Sequence, residues 1–332
     1  SNSLSQLSNL APGTYSEIIT DLNGCQIPIE FDIAEPDQIS VSVIQSNYSN
    51  YGVLCNGSNN GFIDITVEGG TGLYSYSWSN GSNSEDLTAI GPGTYDLIVS
   101  DANGCDESVS ITISEPDNLS ISSIQSNFNG FGISCNGESD GFIDITVSGG
   151  TGNYTYAWSN GATSEDLNNI SAGTYDVIVT DENGCVVQSS FFIDQPELLI
   201  ISSVLSNFTG YGISCYGENN GSIDITVSGG VEPYTYSWNN GEIVEDLANL
   251  GPGTYELIVL DSQNCTSSVQ FEIDEPEDIF ISYLTSSYNG YGLSASNSSD
   301  GFIDITVTGG TGTYTFSWNN GEITEDLNNI GE

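Results

Sequence analysis

The sequence predicts an all-β fold: a tandem array of immunoglobulin-like β-sandwich domains with an 80-residue period. Three observations predict it. Trp78, Trp158, Trp238 and Trp318 recur every 80 residues, and so do Cys25, Cys105, Cys185 and Cys265. Apolar residues alternate with polar ones over short segments bounded by Gly, Asn and Asp, the signature of half-buried strands. No segment shows helical periodicity.

The period keeps its register without insertion or deletion. Tyr15, Tyr95, Tyr175 and Tyr255 obey it, as do Pro36, Pro116, Pro196 and Pro276. A fixed period is read before any local feature. An 80-residue unit is long enough for its own small core, so beads on a string are expected rather than a continuous solenoid. The prolines suggest boundaries, as at Glu35-Pro36-Asp37. Three full immunoglobulin-like repeats then occupy 37–116, 117–196 and 197–276. Residues 1–36 read as the C-terminal part of a repeat and 277–332 as the N-terminal part of another, a window on a longer array.

Within a unit, Ile39, Val41 and Val43 begin the inward stripe. Gly61-Phe-Ile-Asp-Ile-Thr-Val67 puts Ile63, Ile65 and Val67 on one face. Tyr74-Ser-Tyr-Ser-Trp78 sets three aromatics against serines. Asn80-Gly81 is a turn signal. Tyr95-Asp-Leu-Ile-Val99 is a later strand that ends at Asp101-Ala-Asn-Gly104, and Val109, Ile111 and Ile113 close the unit. About seven short strands with a Trp on the third suggest the immunoglobulin sandwich, and Gly93-Thr-Tyr95 fits a tyrosine corner. Glu17 stands in the slot of Leu97, Val177 and Leu257. Either that slot is partly exposed or the first unit is locally looser.

Composition excludes much chemistry. The 332 residues include 45 Asp and Glu and no Lys, Arg or His, for a net charge of −45. There is no basic patch for nucleic acid. Lysine Schiff bases, arginine clamps, histidine bases and histidine-based zinc sites are ruled out. A glycosidase would need a carboxylate pair in a cleft, whereas these acids repeat on turns and linkers, so no enzyme is expected. Trypsin has no cleavage site. No apolar run reaches the ~18 residues of a membrane helix. Mutual repulsion favours extension over a Debye length of ~8 Å.

Seven cysteines occupy two recurring positions, and regular pairs in a β-rich chain suggest disulfides in a secreted protein. Pairing inside a unit would join Cys55 to Cys105, Cys135 to Cys185, and Cys215 to Cys265. Topology favours another scheme. The first position lies between the first two strands, and the second lies at the hairpin joining the last two. Those opposite ends are ~20–25 Å apart, while bonded cysteines need Cα atoms within ~7 Å. The bottom of one unit instead meets the top of the next, which would favour pairing between units, Cys55–Cys185 and Cys135–Cys265. Both schemes stand open. Ala295 replaces the first-position cysteine.

With no cation in the chain, clustered oxygen ligands invite a calcium reading. Asn136, Glu138, Asp140 and Asp144 loosely imitate an EF-hand loop that lacks its twelfth-position Glu; the alternative is a Gly-containing turn. Glu115, Asp117, Asp181 and Asn183 should meet at a joint between units; the alternative is solvated surface acids. Ser46-Asn-Tyr-Ser-Asn-Tyr-Gly52 and its equivalents either stack on sugars or cap the sandwich.

Cys135-Asn-Gly, Asp140-Gly-Phe-Ile-Asp144, Gly149-Gly-Thr-Gly152 and Tyr154-Thr-Tyr-Ala-Trp158-Ser-Asn-Gly161 form a long ordered motif. It continues through Gly173-Thr-Tyr175 to Thr180-Asp-Glu-Asn-Gly-Cys185 and Gln195-Pro196, and recurs in every unit. This string resembles the SprB repeat family. The resemblance implies a secreted surface adhesin of Bacteroidota, export by the type IX system and, in some members, gliding motility.

The expected function is a structural and adhesive part of an extracellular cell-surface filament, acting by reach and many weak contacts. The alternative is a glycan-binding array or the spacer of a larger surface protein. The expected partners are other repeats or copies of the filament and surface polysaccharide or substratum.

Overall fold

The computed structural model describes residues 7–331. Every regular element among them is a β-strand. The first eight are β1 (Gly13–Thr20), β2 (Gln26–Ile33), β3 (Ser40–Gln45), β4 (Gly61–Glu68), β5 (Ser75–Trp78), β6 (Leu87–Ile90), β7 (Gly93–Ser100) and β8 (Asp106–Ile113).

Strands β3 to β8 make two antiparallel three-stranded sheets, in the orders β3-β4-β6 and β5-β7-β8. Alternation dictates which face each strand buries. In β4, Ile63 and Ile65 turn inward while Phe62, Asp64 and Thr66 face out. From the other sheet come Trp78, Leu97, Val99, Ile111 and Ile113, and together they form one core. That strand order, with Trp78 on the third strand, is the immunoglobulin-like sandwich. The tyrosine corner closes as the sequence predicts, with the Tyr95 hydroxyl donating to the Gly91 carbonyl at 3.0 Å. The Trp78 indole N–H donates to the Ser84 carbonyl at 2.9 Å, tying the third strand to the turn that follows it.

Two features carry no signal in the sequence reading. Strand β6 buries both Leu87 and Ile90, three residues apart. Ala89 has φ +55°, and the β4–β6 register shifts between Gly61 and Phe62, so an extra residue is absorbed as a bulge. Asn169, Asn249 and Asn329 take the same left-handed conformation, which Asn tolerates better than Ala. The second feature is Val53, fully buried in the long connection between β3 and β4. Ile133 and Ile213 are its counterparts. Gly52 lets that connection approach, because a Cβ there would fall 2.8 Å from Ile113 Cγ2.

The chain divides into two compact units. The first comprises Ser1–Ser123, Asp144–Glu165 and Tyr175–Ser190; the second comprises Ile124–Ile143, Asp166–Thr174 and Phe191–Glu332. The first holds the complete sandwich of β3–β8. The second holds its counterpart, with sheet orders Ile200–Leu205, Gly221–Ser228, Leu247–Leu250 and Thr235–Trp238, Gly253–Leu260, Thr266–Ile273. Its core is built from Leu199, Ile213, Ile223, Trp238, Leu257 and Phe271, among others. Leu97, Val177 and Leu257 are all fully buried, so the slot is not partly exposed. Glu17 lies instead in β1–β2, a two-stranded hairpin with most side chains in solvent.

Candidate functional site: the cysteine-stapled joint

In the first unit, the connection after β3 folds into a two-residue turn in which Tyr48 and Tyr51 exchange backbone hydrogen bonds of 2.7 and 3.0 Å. The chain then passes through buried Val53 into the turn that presents Cys55. Asn60 Oδ1 accepts from the Leu54 N–H at 3.1 Å, and the Ser58 N–H donates to the Cys55 carbonyl at 3.0 Å. Asp140, Asn220 and Asp300 make the same side-chain bond to Ser134, Ser214 and Ser294. The EF-hand-like spacing at Asn136–Asp144 is therefore occupied by a turn in which Asp140 serves the backbone.

Cys185 is presented by the hairpin after Gly173–Thr180. Asp181 shapes it from inside. Its Oδ1 accepts from the N–H groups of Asn183 and Cys185, at 3.0 and 2.8 Å. Its Oδ2 accepts from the Thr151 N–H and hydroxyl, at 2.9 and 3.0 Å. Four donors use the whole acceptor capacity of a carboxylate, and the group is buried. Asp101 does the same for the hairpin at Cys105, and the Cys105 N–H, helped by Thr71 and Asn103, holds its carboxyl below the usual range.

The structure joins Cys55 to Cys185 and Cys135 to Cys265, with Cα separations of 5.8 and 5.6 Å. Both lie in the ordinary disulfide range. Cys25, Cys105 and Cys215 are unpaired and exposed. Pairing inside a unit, Cys55 with Cys105, Cys135 with Cys185 or Cys215 with Cys265, is thus not what the chain forms. The reason is the placement of the two cysteine positions at opposite ends of each sandwich.

Polar contacts surround the first staple. The Asn183 amide donates to the Leu54 carbonyl at 3.3 Å, and the Ser49 hydroxyl donates to Asn183 Oδ1 at 2.9 Å. The linker is held by Asn56, which donates to the Pro116 carbonyl at 3.0 Å, and by Glu115, which accepts from the Gly57 N–H at 2.6 Å. The second staple repeats this plan. Asn136 donates to the Pro196 carbonyl at 2.9 Å, and Gln195 accepts from the Gly137 N–H at 3.0 Å. Gln195 in place of Glu115 shows that the bond needs an acceptor oxygen, not a charge.

The residues expected to hold calcium make hydrogen bonds within the protein. Glu115, Asp181 and Asn183 all lie around the first joint, but each turns to a different protein partner. The Asp117 carbonyl accepts from the Gly150 N–H at 2.8 Å. Glu138 donates its N–H to the Cys135 carbonyl, and Asp144 stands exposed in the strand Gly141–Ser148. Among the described residues no three His, Cys, Asp or Glu side chains gather as a metal site. No helix among them is long and apolar enough to cross a membrane.

The recurring turn and the strands that follow it are also what comparison with known proteins picks out. No curated protein matches the chain. Among solved structures, eight immunoglobulin domains of the Down Syndrome Cell Adhesion Molecule superpose with TM-score 0.29 and 9% identity, covering 90% of this chain and 55% of that one. The Dpr2 complex with DIP-Theta gives 0.28 and 9%, covering 71% and 99%, and an intimin fragment bound to its translocated receptor gives 0.23 and 12%, covering 75% and 67%. The immunoglobulin-like assignment rests on the strand order and core of the chain itself. The SprB repeat model matches residues 53–83, 133–163, 213–242 and 296–322, once in each period, and these four segments are SprB repeats.

Proposed function

We propose that the chain is the load-bearing, adhesive part of an extracellular cell-surface filament, a gliding-motility adhesin exported by the type IX route. The observation that carries this reading is the staggered pair of disulfides. Cys55–Cys185 and Cys135–Cys265 each span 130 residues, and their loops overlap between 135 and 185. Tension entering at Cys55 reaches Cys265 through 185, back to 135 and across again. A chain that shortens its own covalent path in this way resists extension even when its sandwiches open. Disulfides also fit an oxidising, extracellular setting. With no distinctive catalytic constellation in any repeat, adhesion would come from many weak contacts multiplied by valency.

A second reading, a glycan-binding array, is favoured by one feature. The partly buried ring pairs Tyr48/Tyr51 and Phe128/Phe131 recur on equivalent two-residue turns. Beads coated with this chain should adhere to polysaccharide-coated surfaces with an avidity that rises with surface density. Saturable binding of the free chain to one glycan would favour the second reading, and no adhesion at any density would remove the adhesive half of the proposal.

A further inference from the structure

The turn that presents Cys55 continues into Asn56-Gly57, and two groups of the linker close on that pair. The Asn56 amide donates to the Pro116 carbonyl at 3.0 Å, and the Gly57 N–H donates to Glu115 Oε2 at 2.6 Å. An asparagine followed by glycine is chemically labile. Attack of the glycine nitrogen on the asparagine Cγ closes a five-membered ring, and glycine has no side chain to hinder it. Gly57, at φ +72°, has open space where a Cβ would stand, and both residues are exposed to water. What limits the ring closure is the amide nitrogen, a poor nucleophile until its proton leaves. A base for that proton must stand within hydrogen-bond reach of the nitrogen, about 2.6–3.2 Å. Glu115 stands there.

The other repeats vary these parts one at a time. Asn136-Gly137 keeps the labile pair and its clasp on Pro196, but its Gly137 N–H donates to Gln195 Oε1 at 3.0 Å. A neutral amide oxygen accepts the hydrogen bond and cannot take the proton. Gly217 keeps a carboxylate, Glu275 Oε2 at 2.7 Å, but Tyr216 replaces the asparagine. In the turns at Asn80-Gly81, Asn103-Gly104 and Asn183-Gly184, the glycine N–H donates to the main-chain carbonyls of Trp78, Asp101 and Asp181. The repeat 37–116 brings the labile pair and the base together.

We infer that Asn56 is a self-processing site, converted to a succinimide and then to aspartate and isoaspartate, with Glu115 as the general base. Glu115 takes the Gly57 amide proton as that nitrogen attacks Asn56 Cγ. The new C–N bond forms, the Cγ–Nδ2 bond breaks, and ammonia leaves with the proton that Glu115 returns. Water then opens the ring. Attack at the side-chain carbonyl gives aspartate, and attack at the main-chain carbonyl gives isoaspartate. Either product lacks the N–H that Asn56 donates to Pro116 and adds a negative charge beside Glu115. Isoaspartate also inserts one carbon into the main chain next to Cys55. The clasp on linker 115–117 opens while the Cys55–Cys185 staple holds. The joint is built rigid and loosens with age, its covalent path intact. The step consumes only water and needs no partner, so it is independent of what the filament adheres to.

The test incubates the intact oxidised chain in heavy-oxygen water at neutral pH, cleaves it at aromatic residues and locates the incorporated oxygen by fragment mass. Asn56 should convert roughly a hundredfold faster than Asn136, the low end of what a positioned base contributes. Glu115→Gln, which keeps the hydrogen bond as Gln195 does, should bring Asn56 to the rate of Asn136. Gln195→Glu should speed Asn136 by a comparable factor. In the reduced chain in denaturant the two sites should react at similar rates. Asn56→Asp should reproduce the loosening, read as lost hydrogen-exchange protection at the Gly57 N–H. A ratio below about tenfold in the folded chain, an Asn56 rate unchanged by Glu115→Gln, a difference of the same size in denaturant, or full protection of Gly57 in Asn56→Asp would overturn the inference.

Discussion

Residues 37–91 and 277–331 share one sequence pattern and fold to different degrees of completion. In the first, sheet β3-β4-β6 is covered by β5-β7-β8, Trp78 is 3% exposed and Ser75–Trp78 is a strand. In the second, the covering hairpin is absent from the described residues, Trp318 is half-buried and its segment is irregular. The indole N–H still reaches its turn carbonyl in both, at 2.9 and 2.8 Å. Local hydrogen bonds therefore follow from local sequence, whereas strand identity and burial follow from the sheet opposite. The first region is also stapled through Cys55, and the second carries Ala295 at that position.

The largest expected difference comes from the staple. Replacing Cys55 and Cys185 together by Ser should destabilise the segments it joins by up to about 5 kcal/mol, the chain-entropy value for a loop of this length. Residues 277–331 should not respond, and segment-resolved hydrogen exchange reads both. Next comes the tryptophan. Trp78→Ala should cost about 3–5 kcal/mol by opening a cavity in a closed core. Trp318→Ala should cost less than about 1 kcal/mol, since a half-solvated ring leaves no sealed void. Equal losses in denaturant unfolding would erase the distinction between closed and open repeats.

A smaller, pH-dependent effect attaches to Asp101. Its folded carboxyl is held below the ordinary value, chiefly by the Cys105 N–H. The stability it contributes is present above the ordinary aspartate range near pH 4 and is lost as pH falls through the lowered folded value. Asp101→Asn should weaken residues 37–116 at pH 7 and flatten their acid-unfolding limb in circular dichroism melts. The smallest effect concerns Ala89 at φ +55°. Ala89→Asn should stabilise the complete repeat by about 0.5–1 kcal/mol, and Asn329→Ala should change the open one less.

Much of this architecture was legible in the residues. The period, the alternation in Gly61–Val67 and the tyrosine corner at Tyr95 are local patterns, and each is present in the fold. Strand β6 was not legible, because a left-handed residue breaks the alternation between Leu87 and Ile90. Val53 was hidden because its burial depends on Ser114, whose carbonyl receives the N–H groups of Gly52 and Val53 across the sandwich. The cysteine positions were readable, but their pairing depended on which ends of neighbouring repeats meet. The donors around Asp181 were not legible either, because Thr151, distant in sequence, supplies two of the four that it accepts.

Staggered staples shorten the covalent path through the repeats. Residues 55 and 265 are 210 positions apart along the chain, but only the 50 positions between 135 and 185 separate them through the two disulfides. Pulled by peptide tags at its ends in a single-molecule force experiment, the oxidised chain should yield at most about 180 Å from this stretch, and the reduced chain about 700 Å or more, at 3.3–3.6 Å per extended residue. Release of about 700 Å with both disulfides intact would contradict the account.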